Sequence, residues 1–213
     1  MRAAVVQVPA SDDKPANLRT LQDQVRRAAG LGAQLVVGPE AVMHDFGPPD
    51  LPLAPVAERL DGPFVTGLQD IARETGTTVL AGMFEAGEDD RVFNTVVAVD
   101  GTGTLVGSYR KLHLFDALGW VESERFAPGD GTLLVLPLDG LTVGVQTCYD
   151  LRFPELSRAL VDRGADVLLV PAAWVAGPHK QQQWTTLLAA RAIESTAYVV
   201  AACQWPPRYV GAS

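Results

Sequence analysis

Residues Leu141 to Glu155, LTVGVQTCYDLRFPE, put a cysteine where a strand should end and a helix should begin. Leu141, Val143 and Val145 alternate with smaller or polar residues, as a half-buried strand does. Pro154 suits the first turn of a helix, where its missing N–H is no loss. Leu156, Ala159, Leu160 and Val161 continue at helical spacing. Cys148 therefore sits at a strand-to-helix corner, the place where α/β proteins put ligands. A helix N-terminus nearby would favour a thiolate. A cysteine chosen at random is more often a small buried hydrophobe. The polar run Tyr149, Asp150 and Arg152 beside this one argues against a plain core position.

The remaining pattern supplies partners for that corner. Ala3–Val8 reads as a buried strand. A helix over 15–29 carries Leu18, Leu21, Val25 and Ala28 on one face, with Gly30 and Gly32 as its stop. Leu35–Val37 is a short strand ending in Gly38-Pro39-Glu40, which leaves a carboxylate at a strand's carboxyl end, although most glutamates are solvated. A Pro-rich loop runs from Gly47 to Pro55, either a lid or a surface connection. A helix over 63–74 precedes strands over 77–85, 92–99 and 104–109, with an acidic turn at Gly87–Asp90. Lys111 ends the last of these strands among apolar neighbours; a snorkelling surface lysine is the commoner fate. Residues 116–131 read as irregular. Strands over 133–136 and 141–145 lead to Cys148. A helix over 155–163, a buried strand over 167–170, a helix over 180–196 and a strand over 198–202 complete the chain.

Composition bounds the function. A chain of 213 residues predicts one domain with a core that needs no staples. A net charge of −8 argues against binding a nucleic-acid backbone, which needs a basic face. Cys148 and Cys203 are too few for a disulfide framework, and Cys203 is expected to be buried and inert. No apolar run reaches membrane-spanning length. The expected setting is a reducing cytoplasm.

Glu40, Lys111 and Cys148 each follow a predicted strand, and in a sheet-based fold such ends converge. The segments GPEAVMHDFG, YRKLHLFD, VESERFAPGD and CYDLRFPE, in that order, resemble the signature regions of the nitrilase, or carbon–nitrogen hydrolase, superfamily. PAAW, RAIE and YVVAA fit the same pattern, so the resemblance spans nearly the whole chain. It implies a four-layer αββα sandwich of mixed sheets, an α/β fold. It also implies Cys148 as nucleophile, Glu40 as general base and Lys111 as stabiliser of the tetrahedral intermediate. Glu122 matches the second glutamate, with Glu124 as the fallback, and Asn94 matches a structural position before Lys111. Tyr149 and Trp174 are candidates for the substrate pocket, though ordinary packing accounts for such residues equally well. The resemblance further implies a homo-oligomer, a dimer or larger, that needs neither cofactor nor metal and acts on a small-molecule substrate, a linear amide or a carbamoyl compound. Relatives usually continue past YVVAA with more strands and a C-terminal arm, so 1–213 is expected to be one hydrolase domain lacking that part.

The residue types suit the chemistry. A thiol of ordinary pKa, about 8.5, needs a base or a positive field to attack at neutral pH. A carboxylate can take that proton and return it to a leaving amine. A lysine and the Tyr149 N–H can stabilise an oxyanion. Asp150, Arg152 and Glu155 are expected to form a structural ion-pair and capping cluster, and His113 to hold the loop after Lys111. The rival readings are a silent scaffold of the same fold, a nitrilase acting on C≡N, and a Cys–His–Glu amidotransferase. The last would place glycine two residues beyond the cysteine, where this chain has Asp150.

Overall fold

The computed structural model describes residues 1–88 and 91–213. The expected acidic turn reaches Asp89 and Asp90, which lie outside the described residues. In chain order the elements are β1 (Ala3–Val5), α1 (Lys14–Gly30), β2 (Leu35–Val37), α2 (Pro63–Thr75), β3 (Thr78–Ala86), β4 (Val92–Val99) and β5 (Leu105–Arg110). There follow β6 (Asp116–Ala117), β7 (Trp120–Val121), β8 (Val135–Leu138), β9 (Leu141–Val145), α3 (Pro154–Asp162), β10 (Val167–Ala172), α4 (Lys180–Ser195) and β11 (Tyr198–Cys203).

Two mixed sheets face each other. The first has the order β1-β2-β3-β4-β5, with β1, β2 and β3 parallel and the β3–β4–β5 pairings antiparallel. The second has the order β11-β10-β9-β8, parallel except for the β8–β9 hairpin. The inner strands β2, β3 and β4 of the first sheet are buried on both faces, with side chains pointing alternately each way. Val36, Val79, Ala81, Met83, Val97 and Val99 join the core under α1 and α2. Leu35, Val37, Leu80, Val96 and Ala98 pack with Val143, Val145 and Leu169 of the second sheet. Helices α3 and α4 cover the other face of that sheet, which gives the four layers αββα.

Local chemistry sets the helix ends. Asp13 caps α1 by accepting from the Ala16 N–H at 2.9 Å, and Asn17, Leu21, Val25 and Ala28 form its buried face. Pro63 and Pro154 open α2 and α3. Gly76 ends α2 at φ 66°. The stop of α1 differs from expectation. Gly30 stays helical, Leu31 is the cap, and Gly32 takes the left-handed turn at φ 81°. Strand β1 is shorter than expected, although the Val6 N–H still donates to Val37 O at 2.9 Å.

The segment after Phe115 is more ordered than an irregular loop. Leu118 and Gly119 both have positive φ, 56° and 84°, and close a tight hairpin between β6 and β7. The Asp116 carboxylate accepts from the Ser123 N–H, and a 3₁₀ turn spans Glu122–Glu124. This hairpin returns the chain toward Lys111.

Candidate active site

The carboxyl ends of β2, β5, β9 and β10 meet at one end of the two sheets. Glu40 follows β2, Lys111 follows β5, Cys148 follows β9 and Ala173 follows β10. They surround a cavity of about 150 Å³, also lined by Glu122, Tyr149 and Trp174. Among the described residues no histidine lines it.

Cys148 opens a 3₁₀ turn, Cys148–Arg152, rather than a helix, and has φ 48°. A non-glycine residue in that region is strained, and such strain persists only where the surroundings over-determine it. Here the buried Asp150 carboxylate does so. Its Oδ2 accepts from the Thr147 N–H at 2.9 Å and from the Tyr109 hydroxyl at 2.7 Å. Its Oδ1 accepts from the His113 N–H at 3.0 Å and lies 2.7 Å from His113 Nδ1. Asp150 thus ties the cysteine corner to the end of β5, where Lys111 sits.

Glu40 is 1% exposed and Lys111 2%. Lys111 Nζ donates to Glu40 Oε1 at 2.9 Å and to Glu122 Oε2 and Oε1 at 2.9 and 3.1 Å. Asn94 Nδ2 donates to the same two carboxylates, at 2.7 Å to Glu40 Oε1 and 2.9 Å to Glu122 Oε1. Glu40 Oε2 accepts the Ala173 N–H at 2.7 Å, and Glu122 Oε2 accepts the Phe115 N–H at 2.6 Å. An ammonium has three protons. Glu40 Oε1 and both Glu122 oxygens accept from them, the 3.1 Å contact to Glu122 Oε1 being the longest. Glu40 Oε2, with a single donor, keeps a lone pair free.

The electrostatics follow from this packing. Burial works against the Lys111 charge, but Glu122 and then Glu40 outweigh it and hold the ammonium well above the ordinary lysine range. Burial, followed by the Glu40 charge, pushes the Cys148 thiol well above its usual range, against the pull of Lys111. These surroundings favour the thiol of Cys148 over its thiolate. The thiolate-favouring helix N-terminus expected from the sequence does not operate, because α3 begins only at Pro154.

A model of the family described as carbon–nitrogen hydrolase matches residues 2–213. The chain belongs to the carbon–nitrogen hydrolase family. A Mycobacterium tuberculosis protein described as a hydrolase is 46% identical over 210 residues, covering 97% of this chain and 73% of its own. A deaminated glutathione amidase of Escherichia coli O157:H7 is 39% identical over 188 residues, covering 88% of this chain and 71% of its own. An amidase from Nesterenkonia sp., solved by crystallography, superposes with a TM-score of 0.86 at 28% identity over 97% of this chain and 77% of its own. A glutamate-to-leucine mutant of that amidase carries the acetamide moiety of fluoroacetamide covalently on its active-site cysteine. This carbon–nitrogen hydrolase is accordingly an amidase-type enzyme that works through a cysteine.

The structure brings Glu40, Lys111, Glu122 and Cys148 together, with Tyr149 and Trp174 in the cavity wall. Glu124 is exposed and makes no contact with Lys111 among the described residues, whereas Glu122 bonds it directly. Of the expected ion-pair and capping cluster of Asp150, Arg152 and Glu155, the capping forms, with Asp150 accepting from the Thr147 N–H, and the ion pairs do not. Asp150 is the buried hub described above. The Arg152 guanidinium lies over the Trp174 and Tyr149 rings, 5.0 and 5.7 Å from their centroids, and donates to Gln183 Oε1 at 2.6 Å. Glu155 is exposed in the first turn of α3. His113 stacks on Phe153 at 3.7 Å and holds the loop after Lys111, as expected. Cys203 is fully buried.

Gln204 was not identified from the sequence. Its Nε2 donates to Glu40 O and Ala41 O at 3.0 and 3.1 Å, holding the backbone where Ala41 has φ 55°. Gln204 directly follows strand β11, whose last three residues are buried, and the strand-end rule that drew attention to Glu40 applies equally to it.

Proposed function

We propose that the protein hydrolyses the C–N bond of a small linear amide, with Cys148 as nucleophile, Glu40 as proton carrier, and Lys111, oriented by Glu122, as oxyanion donor. The observation that carries this reading is the division of donors around Glu40 and Lys111. The carboxylate retains an acceptor site on Oε2, and the ammonium, whose longest bond is the 3.1 Å one to Glu122 Oε1, lies at the same cavity as the thiol.

The steps follow from that division. As Sγ of Cys148 bonds to the carbonyl carbon, its proton passes to Glu40. The carbonyl oxygen gains the negative charge and accepts from Lys111 and from the Tyr149 N–H. Glu40 then gives its proton to the nitrogen, the C–N bond breaks, and ammonia or an amine leaves a thioester. Water attacks the thioester as Glu40 takes one of its protons. The acid departs and the proton returns to the sulfur. Lys111 stays protonated throughout, in keeping with its elevated pKa.

The reading extends to a cytoplasmic homo-oligomer. Two free cysteines suit a reducing compartment, and Ile193 and Tyr198, both exposed near the α4–β11 junction, offer apolar surface to a second copy. The test is ammonia release from short aliphatic amides by the purified protein, with Cys148→Ala as control. Release that vanishes in the variant is the expected result; equal release from both proteins overturns the reading.

A further inference from the structure

A second cleft lies beside the active cavity, and nothing in the reaction uses it. It encloses about 510 Å³, against about 150 Å³ for the cavity that holds the thiol, and Arg208 and Tyr209 line both. That volume falls within the range of small-molecule sites, about 300–1,000 Å³. Its walls come from the turn after Val8, the segment after Glu40 and the stretch after β11. Pro9, Pro48, Trp205 and Pro206 stand around it, all exposed. His44 lies deeper, 3% exposed, with its ring centroid 6.1 Å from that of Phe84. It belongs to the signature segment that supplied Glu40, and the chemistry above gives it no part.

That buried histidine is short of one partner. Its Nδ1 lies 2.6 Å from Asp45 O. A carbonyl only accepts, so Nδ1 carries the ring proton and Nε2 of the neutral imidazole is an acceptor. Nε2 has no partner among the described residues, and it is not sealed from solvent as Arg125 Nε is. Its lone pair therefore opens on the cleft that His44 lines. The neighbouring groups are satisfied. Gln204 gives its amide protons to Glu40 O and Ala41 O and accepts the Ala10 N–H at 3.0 Å. The Asp45 carboxylate accepts from the Gly47 N–H and the Tyr209 hydroxyl, each at 2.8 Å, and from Arg208. Arg208 also donates to Gly47 O at 2.7 Å. Ser11, Asp12 and Trp205 are exposed, so their polar atoms meet water.

We infer that this cleft is a binding site for a neutral aromatic ring that carries one hydrogen-bond donor, as a phenol does. The donor meets His44 Nε2, and the ring packs against the Trp205 indole and the proline faces. A water molecule alone would satisfy Nε2 and leave the indole and the prolines wet. An anion is disfavoured, because Nε2 is an acceptor, Asp12 stands at the cleft, and the Arg208 guanidinium is already held by Asp45 and Gly47 O. An ammonium would exchange its water for a single neutral acceptor, a costlier transfer than that of a hydroxyl. Prolines in the wall leave little backbone to order on binding. The inference does not depend on the amidase reading.

The experiment titrates para-cresol and its methyl ether into the purified protein by ligand-observed NMR, at about pH 8, above the ordinary histidine pKa of about 6.5. Wild type is expected to bind the phenol with a Kd of about 1 mM or tighter, the affinity open to a ligand of that size. It should prefer the phenol to the ether by about 10-fold or more, since the ether leaves the buried acceptor unpaired. The ether is the more hydrophobic of the two, so non-specific association ranks them the other way. His44→Phe keeps a ring beside Phe84 and removes the acceptor, and should bring the ratio to one or below. Trp205→Ala, at an exposed position, should weaken phenol binding by about 5-fold while keeping the preference. A wild-type ratio at or below one overturns the proposal without any variant, as does a lack of phenol binding up to about 10 mM. A preference that His44→Phe leaves unchanged overturns it too. If that variant does not fold, Trp205→Ala decides: undiminished phenol binding there puts the phenol elsewhere, the active cavity included, and overturns the proposal.

Discussion

Lys111→Met isolates what the buried ammonium does for the fold as distinct from the reaction. In the wild type, Nζ is bonded to both Glu40 and Glu122. Without it the two carboxylates remain together, because Asn94 Nδ2 still bonds both Oε1 atoms, at 2.7 and 2.9 Å. Two oxygens sharing one donor cannot be much farther apart than twice a hydrogen-bond length. At about 5 Å and an effective dielectric constant of about 20, two unit charges repel by about 3 kcal/mol. Removing one partner of a buried pair generally costs about 3–5 kcal/mol, so the variant should lose about that much stability at pH 8. The loss should depend on pH. Two carboxylates sharing a site do not both ionise readily, so the folded variant takes up a proton at a pH where unfolded glutamates, with pKa about 4.3, remain ionised. The folded state then binds the extra proton, and its stability relative to wild type rises as pH falls. Urea unfolding of variant and wild type at pH 8 and pH 5.5 reads this directly. A gap of about 3 kcal/mol or more at pH 8 that narrows clearly at pH 5.5 is expected. An equal gap at both values, or one below about 1 kcal/mol at pH 8, would refute the charge argument.

Three further outcomes are expected. Cys148 should show no thiolate absorbance at 240 nm near pH 7, since burial and Glu40 raise its pKa; the wild-type-minus-Cys148→Ala difference should rise only above the ordinary thiol range, and a step at or below about pH 8.5 contradicts this. Asp150→Asn puts an amide donor against a set of donors and should cost about 2–4 kcal/mol; a melting temperature within a degree of wild type would show that the hub is not needed. Gly82→Ala should damage Glu40 placement. A Cβ there would meet Ala41 N at 2.6 Å and Glu40 Cα at 2.7 Å, both backbone atoms, so turnover should fall along with about 1–3 kcal/mol of stability, and wild-type ammonia release would refute it.

Much of the site was legible because its chemistry hangs on strand ends. Glu40, Lys111 and Cys148 each stand just past an apolar run, and such runs can be read without knowing the sheet order. The sheets themselves were harder to read. Strands β2, β3 and β4 are buried on both faces, so their sequences lack the alternation that would assign each face. Glu122 was legible only through family resemblance. It reaches Lys111 by way of a hairpin whose turn is Leu118-Gly119, and leucine at positive φ is not a turn signal.

Strain and support are paired across the site. Cys148 lies in the left-handed region, and so does Ala41, the residue after Glu40. Each such residue costs about 1–3 kcal/mol unless its surroundings over-determine it. Each is held by one buried polar side chain that bonds the local backbone: Asp150 at the cysteine corner and Gln204 at the glutamate corner. Each support also reaches beyond its own corner, Asp150 to Tyr109 of β5 and Gln204 to the Ala10 N–H. Cys148 and Glu40 are therefore placed by independent struts tied to different parts of the fold. Loss of either strut should shift one reacting group relative to the other. In Gln204→Leu the thiol should remain alkylatable by iodoacetamide while amide turnover falls by about 100-fold or more, the scale of a misplaced general base. Equal loss of labelling and turnover would instead mean that the two corners collapse together.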